Sequence, residues 1–205
     1  QHSIAGLRDK ETALIEKNDS LKAVAYEHFR KSGRKGFPIV RSNAVQALDD
    51  ADSLLSEKGY RPEIVFFDLP GTLKSDGVIK TLSQMDYIFT PVSRFVVESA
   101  LQFVMMFNDN LVTTGLAKTK DISLFWTMVD GREKTGLYDL YGKLFAENNF
   151  RVLDTRLPDS KRFRREPSDD RKSVFRSTIL PPDTSMLKGS RIRELSEEIC
   201  SIING

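Results

Sequence analysis

One short stretch of the sequence combines residue types that can bind a metal ion and a phosphate group. Residues 63–73 read EIVFFDLPGTL, so the apolar run Ile64–Phe67 leads directly into Asp68 and then into Pro70 and Gly71. An aspartate at the end of a hydrophobic strand is the arrangement in which Walker-type enzymes hold Mg²⁺. The same residues fit the pattern D-x-x-G, whose glycine lets a backbone N–H approach a γ-phosphate. The stretch therefore predicts a metal carboxylate followed by a phosphate-sensing turn.

A purely structural interpretation of this stretch is a strand that ends in a solvated aspartate and turns. The nucleotide interpretation requires a phosphate-binding loop, G-x-x-x-x-G-K-[ST], and the 205 residues contain none. Gly142-Lys143 is followed by leucine, and no glycine stands five residues before Gly142. Both interpretations of Asp68 stay open on the residues alone.

Composition excludes several classes of protein. No apolar run approaches the ~18 residues that a membrane span requires, and residues 1–17 lack the apolar core of a signal peptide. One cysteine, Cys200, excludes an internal disulfide and a cysteine-rich zinc site. The two histidines are too few for a typical transition-metal cluster, and a net charge of +2 excludes a polycation. We expect a single cytoplasmic domain over residues 1–205.

The elements around Asp68 alternate between strand and helix patterns. This alternation, with apolar strands covered on both faces, predicts an α/β fold with a doubly wound, mostly parallel sheet. Ligand-binding loops then lie at the carboxyl ends of the strands. The predicted strands are Phe37–Val40, Ile64–Phe67, Tyr87–Thr90, Ile122–Val129 and Phe150–Asp154. The predicted helices begin at Ser3 and then cover Ser20–Lys31, Asn43–Lys58, Gly77–Gln84, Phe95–Val112, Leu137–Asn148 and Thr184–Ile203.

Four segments together resemble a known family. They are VFFDLPGTL, YIFTPVSRFVVESALQFVMMFNDNL, SLFWTMVDGRE and KRFRRE with VFRSTILPPD after it. In their order and spacing they resemble the ParA/MinD/Soj partition ATPases, most closely the ParA-like, TraA-type proteins of conjugative transposons. The resemblance runs from residue 1 to about the final helix. It implies a P-loop NTPase type of fold, ATP and Mg²⁺ as cofactors, and a homodimer that forms around ATP.

The resemblance also bears on the start of the chain. In the family one strand carries the loop K-G-G-x-G-K-[ST], and a second strand ends in D-x-D-P-Q-x-S. Gln1-His2-Ser3 matches the tail of that second motif, which implies that the chain starts inside it and lacks the N-terminal P-loop strand. We therefore expect this chain as given to be inactive, with no catalytic residue of its own.

Residue by residue, the resemblance assigns Asp68 to Mg²⁺ and Pro70-Gly71 to the second nucleotide switch. Asp130 and Arg132 follow the strand whose end lies near the adenine in this family, so contact with the base is expected of them. A simple turn at Asp130-Gly131 is the alternative interpretation.

The segment 151–193 contains twelve basic and six acidic residues. Partition ATPases of this kind bind DNA without sequence preference, and a cluster of cations suits the phosphate backbone. The alternative is a solvated surface whose charges pair with neighbouring acidic residues. The candidate DNA contacts are Lys161, Arg162, Arg164, Arg165, Arg171, Lys172 and Arg176.

Two functional hypotheses follow from these observations. The first is a ParA-like ATPase that uses hydrolysis as a dimerisation switch in partition, mobilisation or maintenance of a mobile element's DNA, with a conjugation or partition protein as partner. The second is a catalytically inactive scaffold that binds DNA or protein on the same fold. We favour the second for the chain as given, because the phosphate-binding loop is missing from it.

Overall fold

The computed structural model describes residues 4–33, 35–57, 59, 61–71, 77–132, 136–165 and 175–205. A π-helical turn, Asn108–Val112, continues the fifth helix, and Lys161–Arg164 forms a 3₁₀ turn. In chain order the elements are α1 Ile4–Lys17, α2 Asp19–Ser32, α3 Ala47–Leu55, α4 Val78–Leu82, β1 Tyr87–Val92, α5 Val97–Phe107, β2 Asp121–Trp126, α6 Leu137–Glu147, β3 Arg151–Val152, α7 Thr184–Leu187 and α8 Ile192–Asn204.

The strands form a parallel sheet in the order β1-β2-β3. Helix α5 connects β1 to β2 and helix α6 connects β2 to β3, which is the crossover arrangement that parallel neighbours require. The register pairs Val92 with Trp126 at the carboxyl ends of β1 and β2. The α/β class with a parallel sheet is thereby confirmed, and its P-loop type stays a prediction.

The main hydrophobic core lies between this sheet and its crossover helices. Leu124 of β2, Val104 and Phe107 of α5 and Phe145 of α6 are completely buried. The Trp126 ring is 1% exposed and meets the Phe145 ring with centroids 6.2 Å apart. The apolar run of β2 is therefore explained by burial between helices, as its sequence predicts.

Strand β2 ends earlier than the sequence indicates. Met128 adopts a left-handed backbone conformation with φ of 55°, which interrupts the extended chain after Trp126. Val129 then forms an isolated parallel bridge with Pro158. The chain after β2 thus stays attached to the chain after β3, although the regular ladder has stopped.

Two of the predicted strands are wrong. Phe37–Val40 and Ile64–Phe67 are irregular in the structure, and between described residues the segment 62–71 makes no backbone–backbone hydrogen bond. Phe66 is 76% exposed and Phe37 is 56% exposed. An apolar run indicates a preference for burial, but a strand also needs a neighbouring strand, and neither segment has one among the described residues.

A second, smaller cluster lies on the N-terminal helices. Leu21 and Ala25 of α2 pack with Leu180, and Ile15 of α1 and Ile179 pack against them. The Asn18 side chain caps α2 by accepting hydrogen bonds from the backbone N–H groups of Ser20 and Leu21, at 3.0 and 3.2 Å. Within the described residues, none of the helices combines the length and the apolar character of a membrane span.

Candidate functional site

The carboxyl ends of β1 and β2 lie side by side and form one edge of the sheet. The Thr127 N–H donates to the Val92 carbonyl at 2.8 Å, which extends the pairing one residue beyond the ladder. On the other side, the Val129 N–H donates to the Leu157 carbonyl at 3.0 Å, and the Asp159 N–H donates to the Val129 carbonyl at 2.9 Å. These bonds fix the loop after β2, and they deliver Asp130 to the edge where open α/β sheets bind ligands.

Asp130 and Arg132 form a bidentate ion pair at this edge. Arg132 Nε and Nη2 donate to the two carboxylate oxygens at 3.0 and 2.9 Å, and the Arg132 backbone N–H donates to Oδ1 at 3.0 Å. The hydrogen bonds from Arg132 lower the pKa of Asp130 to about 2, and the charge of Arg94 acts in the same direction. The carboxylate is therefore ionised at neutral pH, while the guanidinium, 91% exposed, keeps most of its surface toward solvent.

Strand β1 contributes a cation and an aromatic ring that the sequence analysis did not select. The Arg94 guanidinium carbon lies 4.8 Å from the centroid of the Phe95 ring, and Phe95 is 69% exposed. Arg94 is close enough to Asp130 to influence its pKa. The signal for both residues was their position directly after a predicted strand that ends in proline, at an edge already expected to bind ligands.

The structure does not bring Asp68, Pro70 and Gly71 to this edge through any described contact. The predicted strand before Asp68 is absent, so Asp68 follows an irregular segment, and its exposed carboxylate makes no hydrogen bond or ion pair with a described residue. A Cβ on Gly71 would meet no atom within 4 Å, so no close packing requires glycine there. The role of this stretch in nucleotide binding stays a prediction.

The fit of Mg²⁺ can be tested on the carboxylates. Among the described residues, no group of three or more possible ligands, counting His, Cys, Asp and Glu, could hold a metal ion. Asp68 alone supplies one carboxylate. One carboxylate is the minimum that a protein contributes to a magnesium site whose other ligands are water and phosphate. The described residues do not form a magnesium site on their own, and Mg²⁺ rests on the family resemblance.

Two of the candidate DNA contacts in the described part of the basic segment, Arg162 and Arg164, are already paired within the protein. Arg162 Nη1 donates to the carbonyls of Met186 and Lys188 at 2.5 and 2.7 Å, and its Nε donates to the Ser160 hydroxyl at 3.0 Å. Arg164 pairs with Asp159 at 2.5 Å. Arg162 thus fixes the chain onto the end of α7, and Arg164 neutralises a nearby carboxylate.

The other candidate DNA contacts differ from these two in their surroundings. Within the described residues, the side chains of Lys161, Arg165 and Arg176 have no hydrogen-bond or ion-pair partner. The Phe163 and Phe175 rings meet edge to face with centroids 5.0 Å apart. This contact joins two parts of the basic segment that are twelve residues apart in the sequence. Arg171 and Lys172, the other two candidates, lie outside the described residues.

Two glutamates on helices accept hydrogen bonds from the backbone N–H groups of distant loops, and sequence reasoning missed both. Glu198 of α8 accepts the N–H groups of Asp154 and Thr155, just after β3, at 2.7 and 3.0 Å. Glu11 of α1 is 3% exposed and accepts hydrogen bonds from Thr178 and its neighbours. Glutamates on helices give no local signal of such partners, because the loops lie far away in the sequence.

Comparison with protein-family models, with curated proteins and with solved structures found no match for this chain.

Proposed function

We propose that this chain is the α/β domain of a ParA-like ATPase, a homodimeric switch that acts in partition, mobilisation or maintenance of a mobile element's DNA. The four family-like segments motivate this proposal. The observation that carries it is the meeting of Arg94, Asp130 and Arg132 at the carboxyl edge of a parallel sheet. Ligands of open α/β sheets bind at that edge, and guanidinium groups suit phosphates and stack on bases.

In this proposal the edge residues bind and orient the nucleotide. Asp130 holds Arg132 in place through two side-chain hydrogen bonds, so less conformational entropy is lost when the guanidinium meets a ligand. Phe95, largely exposed beside Arg94, offers an apolar face to a base. A hydrated magnesium ion would neutralise phosphate charge when bound, and no step is assigned to it because the described residues do not form its site.

Calorimetric titration with Mg-ATP tests the proposal. Arg132→Gln should weaken binding by about tenfold to 150-fold, since losing a charge-assisted contact costs about 1.5–3 kcal/mol. Arg30→Gln is the matched control, because Arg30 also makes a bidentate pair, with Glu27 on helix α2, and is itself 59% exposed. The same titrations on a version extended upstream of Gln1 ask whether an added phosphate-binding loop raises the affinity. Equal affinities of the two variants in both versions would contradict a nucleotide site at the sheet edge.

A second candidate function is a nucleotide-free module that binds DNA through its phosphates. Its specific support is that Lys161, Arg165 and Arg176 have no partner among the described residues, while Arg162 and Arg164 do. Cations without an internal partner can release counterions from DNA without first breaking a protein contact.

Fluorescence anisotropy with duplex DNA at stepped salt concentrations tests this candidate. Arg165→Gln and Arg176→Gln should each reduce the slope of log K against log salt by about one, and binding should not depend on the DNA sequence. Arg30→Gln again serves as a surface control. If neither variant changes the slope, the basic segment is a solvated surface and the second candidate fails.

A further inference from the structure

The carboxylate of Glu11 is enclosed by donors from one short stretch of chain. Glu11 lies on α1 with 3% exposure, and its partners all come from residues 177–180. The Ser177 hydroxyl donates to Oε1. The Leu180 N–H donates to the Ser177 hydroxyl oxygen at 2.7 Å and also reaches Oε1 at 3.3 Å. Oε2 accepts from the Thr178 N–H at 2.7 Å, the Thr178 hydroxyl at 2.8 Å and the Ile179 N–H at 3.0 Å.

Arg8, one helical turn before Glu11, contacts Thr178 and not the carboxylate itself. Its Nε donates to the Thr178 hydroxyl oxygen at 2.8 Å, and its Nη2 donates to the Thr178 carbonyl at 3.1 Å. The Thr178 hydroxyl thus accepts from Arg8 and must direct its own hydrogen toward Glu11. The guanidinium is held in turn by the Phe37 carbonyl at 3.2 Å.

Successive backbone N–H groups that converge on one anion form a nest, a common means of binding carboxylates and phosphates. The buried carboxylate of Glu11 is tolerated because five donors compensate for the water that it has lost. Glu198 offers a contrast, since it accepts two N–H groups at a half-exposed position. The two sites share the same chemistry but differ in how completely the anion is enclosed.

We propose that residues 177–180 form a carboxylate-binding site that is filled in this chain by Glu11, and that this contact is a latch between α1 and the chain after the basic segment. The site belongs to the N–H and hydroxyl groups of residues 177–180 and not to Glu11, so a free monocarboxylate such as formate or acetate enters it when the Glu11 side chain is removed. This inference does not depend on the proposed function.

Amide hydrogen exchange followed by NMR measures the latch at the residues that form it. In Glu11→Ala the amides of Thr178 and Ile179 should exchange about tenfold faster or more, while those of Asp154 and Thr155 keep their rates. Leu180 is a weaker reporter, because its N–H also donates to the Ser177 hydroxyl oxygen at 2.7 Å. Glu198→Ala should give the reverse pattern. This reciprocal control separates the loss of one latch from a general loss of stability.

Addition of a small carboxylate then tests the site itself. Sodium formate should slow exchange at Thr178 and Ile179 of Glu11→Ala, and sodium chloride at the same concentration should not. Unchanged exchange at these amides in Glu11→Ala, or an equal effect of formate and chloride, would overturn the proposal.

Glu11→Gln covers the case in which the alanine variant does not fold. Glutamine keeps the shape of the side chain but replaces one acceptor oxygen by an NH₂ group, which faces donors. Exchange at Thr178 and Ile179 should rise, and formate should have no effect because the site is still occupied. Protection equal to that of the original chain would show that the charge and the second oxygen of Glu11 are unnecessary, which contradicts a carboxylate site.

Discussion

The sheet region and the N-terminal region of this molecule are stabilised in different ways. In the sheet region, formed by β1, β2, α5 and α6, large side chains are completely buried and the strands pair along six positions. In the N-terminal region, formed by α1, α2, residues 35–71 and residues 177–180, the buried cluster consists of Leu21, Ala25 and Leu180, each still 7–9% exposed. There the hydrogen bonds of Glu11 and Arg8 connect α1 to Thr178 and its neighbours. The same kind of substitution should therefore have unequal effects in the two regions.

Truncation of a core side chain should give the largest effect and separate the regions most clearly. Phe145→Ala removes a completely buried ring that contacts Trp126, and it should lower the free energy of unfolding by about 3–5 kcal/mol. Leu21→Ala in the smaller cluster should cost about 2 kcal/mol, the low end for leucine, because water can reach the site. Urea denaturation followed by circular dichroism measures both values. Equal losses would contradict the idea that apolar burial is concentrated in the sheet region.

A glycine at the contact between α4 and residues 44–45 of the N-terminal region gives the next largest effect. Gly77 has φ of +82°, and a Cβ there would lie 2.7 Å from the Val45 backbone. The Thr81 hydroxyl donates to the Ala44 carbonyl at 2.7 Å, so α4 packs closely on residues 44–45. Gly77→Ala should destabilise the protein by about 1–3 kcal/mol through backbone strain, with the steric contact adding to that cost.

Gly33→Ala is the matched control for Gly77→Ala. Gly33 also has a positive φ, +63°, but a Cβ there would meet nothing within 4 Å. The difference between the two variants in urea denaturation isolates the contact with Val45. If both cost the same, α4 and residues 44–45 are not held together as the structure describes.

The sequence predicted the sheet region better than the N-terminal region, and the reason is physical. The crossover helices α5 and α6 and strands β1 and β2 carry their own periodicity, and each packs on neighbours that are close in the chain. Ile64–Phe67 has an equally apolar pattern, but a pattern cannot state whether a partner strand is present. The prediction that Asp68 lies at a strand end depended on that strand, so it is wrong for the same reason.

The candidate sites show the same limit at the level of side chains. Asp130 and Arg132 are two residues apart, and their pairing after a strand was accessible to sequence reasoning. Glu11 and Thr178 are 167 residues apart, and only the folded chain brings them together. Likewise, Arg162 looked like a DNA contact by charge, and the structure directs it to the carbonyls of Met186 and Lys188.

The smallest effect on stability, and the sharpest comparison, concerns two exposed ion pairs. Hydrogen bonds from Arg132 lower the pKa of Asp130 to about 2, and hydrogen bonds from Arg30 and Lys31 lower the pKa of Glu27 to about 2. One pair lies at the sheet edge and the other on α2. The ordinary pKa is 3.8 for Asp130 and 4.5 for Glu27, and each carboxyl has a lower pKa in the folded protein. Each pair therefore stabilises the fold at pH values above the ordinary pKa of its carboxyl. The contribution is lost as the pH falls from about 4 toward about 2.

Carboxyl-carbon NMR titration measures the two pKa values directly. Arg132→Gln should return the Asp130 midpoint toward its ordinary value and leave Glu27 unchanged. Arg30→Gln should shift Glu27 in the same direction, but only in part, because Lys31 also contacts that carboxylate at 3.2 Å. The melting temperature at neutral pH should barely change in either variant, since exposed pairs are screened by solvent. A clear loss of stability in Arg132→Gln alone would show that the ion pair at the sheet edge contributes to the fold, which contradicts the prediction that this exposed pair is screened by solvent.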